Sequence, residues 1–184
     1  MKKINEIFYS LQGEGFHMGT PSVFVRFSGC NIVCPFCDTK HKDFVLMSDE
    51  EIVQVVQKHE ASWVILTGGE PGLQVTETFV DLLHQKGKKV AIETNGTQNL
   101  PSNIDWITVS PKELKSPILR TADEVKIVYT GNDDFVEHWH DAIRAQHYFL
   151  QPCSCQNTDA TILYILQHPH WRLSLQMHKY VGIE

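Results

Sequence analysis

At 184 residues the chain can bury roughly 70% of its extended-chain surface, so one domain over residues 1–184 is expected, with no staple needed to hold it. Its 42% hydrophobic and 21% charged residues are those of an ordinary soluble protein, and a net charge of −6 argues against a nucleic-acid partner, because phosphate contacts need a cationic surface. No apolar run approaches the roughly 20 residues that span a bilayer and no apolar signal core follows Lys2 and Lys3, so the chain is expected in the cytoplasm with no membrane partner.

Residues 4–9 alternate loosely as a strand and run through Leu11 into Gln12-Gly13-Glu14-Gly15. Those two glycines permit a tight turn, and the segment reads either as a plain hairpin loop or as a loop that offers Gln12 and Glu14 to a ligand. A buried strand over 22–27 leads into Cys30, Cys34 and Cys37. Ser48 with Glu51 three residues on is a capping box opening a helix, with Ile52, Val55 and Val56 on one face. Strands follow at 63–66, 89–93, 106–109, 125–129, 148–150 and 171–175, with helices at 76–86, 134–146 and 158–167 and a tail at 176–184. Gly87 is placed to stop the helix over 76–86. The connections 98–103 and 113–124 are too short or irregular for full helices. Short apolar strands alternating with helices predict an α/β fold. Specifically, the pattern predicts a partial, trimmed (β/α) TIM-like barrel of about six parallel strands with few helices, plus an N-terminal hairpin segment.

Each strand ends in a polar loop bearing glycine, proline or cysteine. Examples are Gly68-Gly69-Glu70-Pro71, Glu93-Thr94-Asn95-Gly96, Ser110-Pro111-Lys112 and Gln151-Pro152. Ligands of parallel α/β folds bind at the carboxyl ends of strands, so these loops and the cysteine loop are expected to converge on one site.

Five cysteines are an odd number, and three of them crowd into eight positions, which in a reducing compartment points to metal. Ordinary electron-transfer clusters and structural zinc sites both take four protein ligands. Three thiolates therefore either hold an iron–sulfur cluster with one corner open for a small molecule, or bind zinc with a histidine, His17 or His41, as fourth ligand. Cys153 and Cys155 are too few for a second cluster and read as bystanders. His138 and His140, two apart on a predicted helix, read as surface residues, whereas His178 lies in a tail that could fold back over a substrate.

The C-x3-C-x2-C spacing, with Phe36 before the third cysteine, resembles the signature of the radical S-adenosylmethionine (SAM) superfamily. The resemblance continues in order along the chain. Gly68, Gly69 and Glu70 resemble the motif that holds the methionine amino group. Ser110, Pro111 and Lys112 are similar to the ribose or carboxylate segment, and Gln151, Pro152, Cys153 and Ser154 to the adenine segment. The resemblance implies a [4Fe–4S] cluster on Cys30, Cys34 and Cys37, SAM on its open iron with Phe36 and Asp38 beside it, and a 5′-deoxyadenosyl radical that takes a hydrogen atom from the substrate.

Phe8-Tyr9-Ser10-Leu11-Gln12-Gly13-Glu14-Gly15, Arg26, Cys37-Asp38-Thr39 and the tail from Leu173 to Tyr180 resemble the 7-carboxy-7-deazaguanine synthase family over nearly the whole chain. That resemblance implies a lyase acting on 6-carboxy-5,6,7,8-tetrahydropterin, which loses ammonia and contracts to 7-carboxy-7-deazaguanine in queuosine biosynthesis. It implies Mg2+ at Thr39, and substrate contacts at Leu11, Gln12, Gly13, Glu14, Arg26 and Thr67. It also implies a homodimer and an external electron donor such as flavodoxin or ferredoxin. The residues suit a pterin: Gln12 and Glu14 match its guanidine-like edge, and Arg26 offers a bidentate clamp for the carboxylate, although a strand arginine can equally pair with a nearby acid. Thr67 could likewise cap its own loop. Two rivals are a glycyl-radical-activating enzyme of the same superfamily, which would leave Gln12, Glu14 and Arg26 without purpose, and a non-catalytic iron–sulfur or zinc module, which would need no nucleoside site.

Overall fold

A computed structural model describes residues 1–37, 43–113 and 117–183. In chain order these form β1 (Lys2–Leu11), β2 (Pro21–Phe27), β3 (Val45–Met47), α1 (Asp49–Val56), β4 (Trp63–Gly68), α2 (Glu77–His84), β5 (Lys89–Thr94) and β6 (Trp106–Val109). Then come β7 (Glu124–Tyr129), α3 (Asp133–Ala142), β8 (His147–Pro152), α4 (Thr158–Gln167), β9 (Arg172–Leu173) and α5 (Met177–Val181). The strands make one sheet in the order β3-β1-β2-β4-β5-β6-β7-β8-β9. From β2 to β9 every pairing is parallel, while β1 runs antiparallel to β2 and to β3. This is the expected trimmed barrel with an N-terminal hairpin, with a seventh parallel strand added by the two residues of β9.

The alternation of side chains along the strands separates two environments. Outward-facing Val23, Val25, Phe27, Val64, Leu66, Val90 and Ile92 pack with Ile52, Val53 and Val56 of α1 and Phe79, Val80 and Leu83 of α2. Val109, Val125, Ile127 and Leu150 pack with Val136 and Trp139 of α3 and Tyr164 of α4. Facing inward, Phe24, Ile65 and Ala91 lie level on β2, β4 and β5 and form a small apolar layer. Above that layer, toward the strand ends, the inner face turns polar, with Arg26 level with Thr67.

Local signals account for the helix starts. The Ser48 hydroxyl accepts from the Glu51 N–H at 3.2 Å, and the Glu51 carboxylate accepts from the Ser48 N–H at 2.7 Å, completing the predicted capping box. Thr76 caps α2, and Gly87, in the left-handed region at φ +72°, ends that segment as expected. Among the described residues, 98–103 and 113–123 carry no helix.

Three boundaries depart from expectation. Helix α3 stops at Ala142 rather than 146 because the chain there is drawn into sheet-like pairing: Thr121 bridges Arg144, and Gln146 N–H donates to Asp123 O. β3 was not foreseen, being three residues long and anchored only by pairing with β1. The strand expected over 171–175 pairs only at Arg172–Leu173, and the tail beyond it forms α5.

The open side of the barrel is bridged by the loop after β1 and by the tail. Gly15 N–H donates to Ser174 Oγ at 2.9 Å, and Met177 N–H donates to Gly13 O at 2.9 Å. Farther along the loop, Phe16 stacks on Trp106 and His147, and His17 packs between Trp63 and Trp106. These tryptophans begin β4 and β6, so the loop threads down the barrel and plugs the end opposite the cysteine loop.

Candidate active site

The cysteine loop leaves the carboxyl end of β2 through Gly29, whose φ of +98° is a left-handed turn. The neighbouring strand end seats it: Gly69 N–H donates to Phe27 O and Glu70 N–H to Gly29 O, each at 2.9 Å. A Cβ on Gly69 would lie 2.0 Å from Gly29 O, so only glycine allows this approach. The third strand end completes the seat. Asn95 Nδ2 lies 3.1 Å from Asn31 Oδ1 and 3.9 Å from Cys30 Sγ, and Asn31 Nδ2 donates to Thr97 Oγ1 at 2.8 Å. None of the five cysteines is in a disulfide.

An open cavity of about 270 Å³ lies over the strand ends. Cys30, Cys34 and Cys37 line it together with Phe36, Gly68, Gly69, Ser110, Lys112, Gln151, Pro152, Cys153 and Ser154, and with Leu11, Gln12, Gly13, Glu14, Arg26 and Thr67. The five loops singled out in the sequence therefore share one space. Burial pushes the Cys34 thiol up, and the Lys112 ammonium opposes that shift. Lys112 is itself held below its ordinary value by burial and by the charge of Lys126. Three undisulfided thiols on a glycine-seated loop, with a nearby cation and an amide donor at Cys30, suit an iron–sulfur cluster held by three cysteines. The zinc alternative loses its described fourth ligand: His17 is wedged between Trp63 and Trp106 at the far end of the barrel, and His41 lies outside the described residues.

Two candidates sit elsewhere than expected. Glu70 is fully buried and does not line the cavity; its carboxylate accepts from Thr94 Oγ1, Asn95 N–H and Gly72 N–H at 2.7, 2.7 and 2.9 Å. It ties the second strand end to the third, and Gly68 and Gly69 are what reach the ligand space. Pro111 is buried behind Ser110 and Lys112, which do line it. Asp38 and Thr39, and with Thr39 the implied Mg2+ ligand, lie outside the described residues. Arg26 lines the cavity, where a carboxylate clamp is expected, and it also pairs with Glu6 at 2.6 Å, the acid partner of the other reading.

Sequence reasoning missed the electrostatic centre of the site. Lys126, in the middle of β7, places its ammonium 2.7 Å from Glu14 Oε2 and 2.9 Å from Glu93 Oε2. Gln151 and Gln176 also donate to Glu14 Oε1, at 3.2 and 3.0 Å. Burial alone would raise Glu14, but Lys126, with the Gln176 amide, outweighs it and brings its pKa down to about 2. Glu93 shares the same lysine with fewer donors, and burial holds it above the ordinary range. Burial would lower Lys126, yet Glu14, Glu93 and Glu124 together keep it well above the ordinary lysine range. The signal available was a charge set within each of two mainly apolar strands, Glu93 in β5 and Lys126 in β7. His178 also lines the cavity, as the tail reading anticipated.

A parallel α/β barrel whose first parallel strand ends in a three-cysteine loop, with glycine-rich strand ends around one cavity, defines a radical SAM enzyme, and the Radical SAM superfamily model matches residues 24–144. The chain is 55% identical over 183 residues to the 7-carboxy-7-deazaguanine synthase of Bacteroides thetaiotaomicron, covering 100% of this chain and 99% of that one. It is 41% identical to the enzyme of the same name from Haemophilus influenzae, covering 98% and 93%. The crystal structure of QueE from Escherichia coli superposes with a TM-score of 0.81 at 30% identity, covering 96% of this chain and 94% of that one. The chain belongs to the 7-carboxy-7-deazaguanine synthase family.

Proposed function

We propose that this enzyme converts 6-carboxy-5,6,7,8-tetrahydropterin to 7-carboxy-7-deazaguanine with loss of ammonia, for queuosine-type deazapurine biosynthesis. One observation carries the reading: the three cluster cysteines and the group Gln12, Glu14 and Arg26 line the same cavity. Bound at those cysteines, the [4Fe–4S] cluster and SAM supply the one-electron chemistry that removes a hydrogen atom from the substrate.

The protein's own part is recognition and exclusion of water. Gly68, Gly69, Ser110, Lys112 and the turn Gln151-Pro152-Cys153-Ser154 surround the SAM side of the cavity. In that turn Ser154 and Cys155 both adopt positive φ, 49° and 61°, a strained backbone that fits a ligand-shaped loop. On the substrate side, Phe24 and Ile65 provide an apolar floor and Arg26 faces the carboxylate. Glu14, ionised throughout the neutral range, accepts N–H groups from the guanidine-like edge, and Gln12, whose Nε2 lies 3.4 Å from Glu93 Oε1, completes that edge. Thr39 is the proposed protein ligand to Mg2+, which needs substrate oxygens and water to fill its octahedron.

Val33, at the tip of the cysteine loop, is 96% exposed, an apolar contact that supports a docked flavodoxin or ferredoxin as electron donor. Exposed Val45 and Leu46 on edge strand β3 support a homodimer. A cytoplasmic location is part of the proposal; no helix of the described residues is long and apolar enough to cross a membrane. The test is an anaerobic assay of the cluster-loaded enzyme with SAM, Mg2+, reductant and the carboxypterin. The deazaguanine should form, and more slowly without Mg2+. SAM cleavage without conversion of the pterin would sink the reading and favour a glycyl-radical activator.

A further inference from the structure

Four of the ten histidines fall in two short motifs, His138-Trp139-His140 on α3 and His168-Pro169-His170 between α4 and β9. Reading His138 and His140 as surface residues suits only the first. His138 is exposed, but His140 is half-buried and its ring lies 4.2 Å from that of His170, centroid to centroid. Glu137 precedes His140 by one helical turn and so shares its face. One ligand atom from each of Glu137, His140 and His170 lies within 4.8 Å of the others, and among the described residues no other three histidine, cysteine or acidic side chains gather this closely.

We propose that Glu137, His140 and His170 form a second metal site, separate from the active-site cavity, that takes a divalent first-row transition ion, Zn2+ in the first instance. Two imidazoles and one carboxylate are a borderline-soft donor set. It favours zinc over Mg2+ or Ca2+, which take all-oxygen cages. Metal–ligand bonds of about 2.0–2.2 Å need only modest side-chain rotation to close the present gap. Outer partners are in place. Tyr164 Oη donates to Glu137 Oε1, and Asp141 Oδ1 lies 3.4 Å from His140 Nδ1, the kind of second contact that orients metal-binding side chains. His168, whose Nδ1 lies 2.9 Å from Tyr164 O, packs its ring on Tyr164 and braces the same corner. His170 is exposed, so an ion would keep water in its open position. The ion would clip α3 to the turn that enters β9, and beyond β9 the chain delivers Ser174, Gln176 and His178 to the substrate cavity.

The experiment titrates Zn2+ into the cluster-loaded enzyme against a chromophoric chelator under excess Mg2+. Loaded cysteines cannot then compete for the metal. The wild type should bind one equivalent with micromolar affinity or better, and zinc should raise its melting midpoint. His170→Ala, at an exposed position that leaves the fold intact, should weaken binding by at least tenfold and abolish the shift, whereas His138→Ala should change neither. Co2+ in the same site should give ligand-field bands without thiolate charge transfer. Equal zinc affinity in wild type and His170→Ala, no zinc binding by wild type, or a thiolate band with Co2+ would each overturn the site.

Discussion

Lys126 and Glu14 meet at 2.7 Å inside the barrel, from positions 112 residues apart, and Glu93 closes the same ammonium from the other side at 2.9 Å. Lys126 is only 5% exposed, so the pair is sheltered from the screening that makes surface ion pairs weak. Its removal would leave two carboxylates facing each other without their shared cation. Lys126→Met should cost about 3–5 kcal/mol of stability, a fall in melting temperature of roughly 10 °C, and lower kcat/KM by roughly a hundredfold or more. Adding Glu14→Gln and Glu93→Gln should recover much of the melting temperature while leaving activity low. Calorimetry and the anaerobic assay together separate the structural share from the recognition share.

Glu124, one inward position below Lys126, carries a different pH signature. It is 2% exposed, its Oε2 accepts the Phe16 N–H at 3.0 Å, and its Oε1 has no hydrogen-bond partner among the described residues. Burial lifts its pKa from the ordinary 4.5 to about 7, against the pull of Lys126. A carboxyl raised on folding stabilises the fold fully below its unfolded value, and that contribution is lost as pH rises from about 4.5 through 7. The full effect is on the order of 3 kcal/mol. Glu14 acts with the opposite sign: its contribution is present above the ordinary carboxylate range and is lost as pH falls toward 2. Melting temperatures should therefore fall between about pH 4.5 and about pH 7 in the wild type. Glu124→Gln, which keeps an acceptor for Phe16 N–H, should flatten that slope. A slope unchanged in the variant would assign it to another group.

The contrast between these two residues and the cysteine loop shows what the sequence made legible. Cys30, Cys34 and Cys37 announce themselves because their spacing is local and their chemistry rare. The strand ends were readable because an apolar run stops abruptly at glycine or proline. The Lys126, Glu14 and Glu93 cluster was not readable, since it depends on which face of β7 and β5 turns inward and on how far the loop after β1 threads down the barrel. The buried position of Glu70 was not readable for a related reason. A carboxylate beside Gly68 and Gly69 suggests a ligand contact, but three donors from the neighbouring strand end and its own turn claim it first. β3 and the early end of α3 follow from pairing partners distant in sequence, to which periodicity is blind.

Gly69 and Gly29 fix the height of the cysteine loop. Because a Cβ on Gly69 would come within 2.0 Å of Gly29 O and 2.6 Å of its carbonyl carbon, relief requires moving backbone rather than a side chain. Gly69→Ala should therefore displace the start of the loop that presents Cys30. The expected result is a soluble protein whose iron and sulfide content after reconstitution falls to less than about half of the wild-type level, with a stability loss of about 1–3 kcal/mol. Full iron loading in this variant would mean that the loop is not set by this contact.

Gly13 makes the complementary case on the substrate side. A Cβ there would lie 2.4 Å from His178 Nδ1 and 3.2 Å from its Cβ, so Gly13→Ala pushes against the tail rather than against the sheet. The Gly13 carbonyl also receives the Met177 N–H, and Gly15 N–H donates to Ser174, so loop and tail are hinged together at two points. The clash falls on a side chain rather than on sheet backbone, which makes the substitution tolerable for folding but not for the closed cavity. Gly13→Ala should leave the melting temperature within about 2 °C of wild type, raise KM for the pterin by roughly tenfold, and speed limited proteolysis within 176–183. His178→Ala in the same background should restore the protease resistance of the hinge without restoring KM, because relief of the clash does not return the lost cavity wall. If KM is unchanged in Gly13→Ala while the tail is cut faster, the tail closes the barrel but takes no part in holding the substrate.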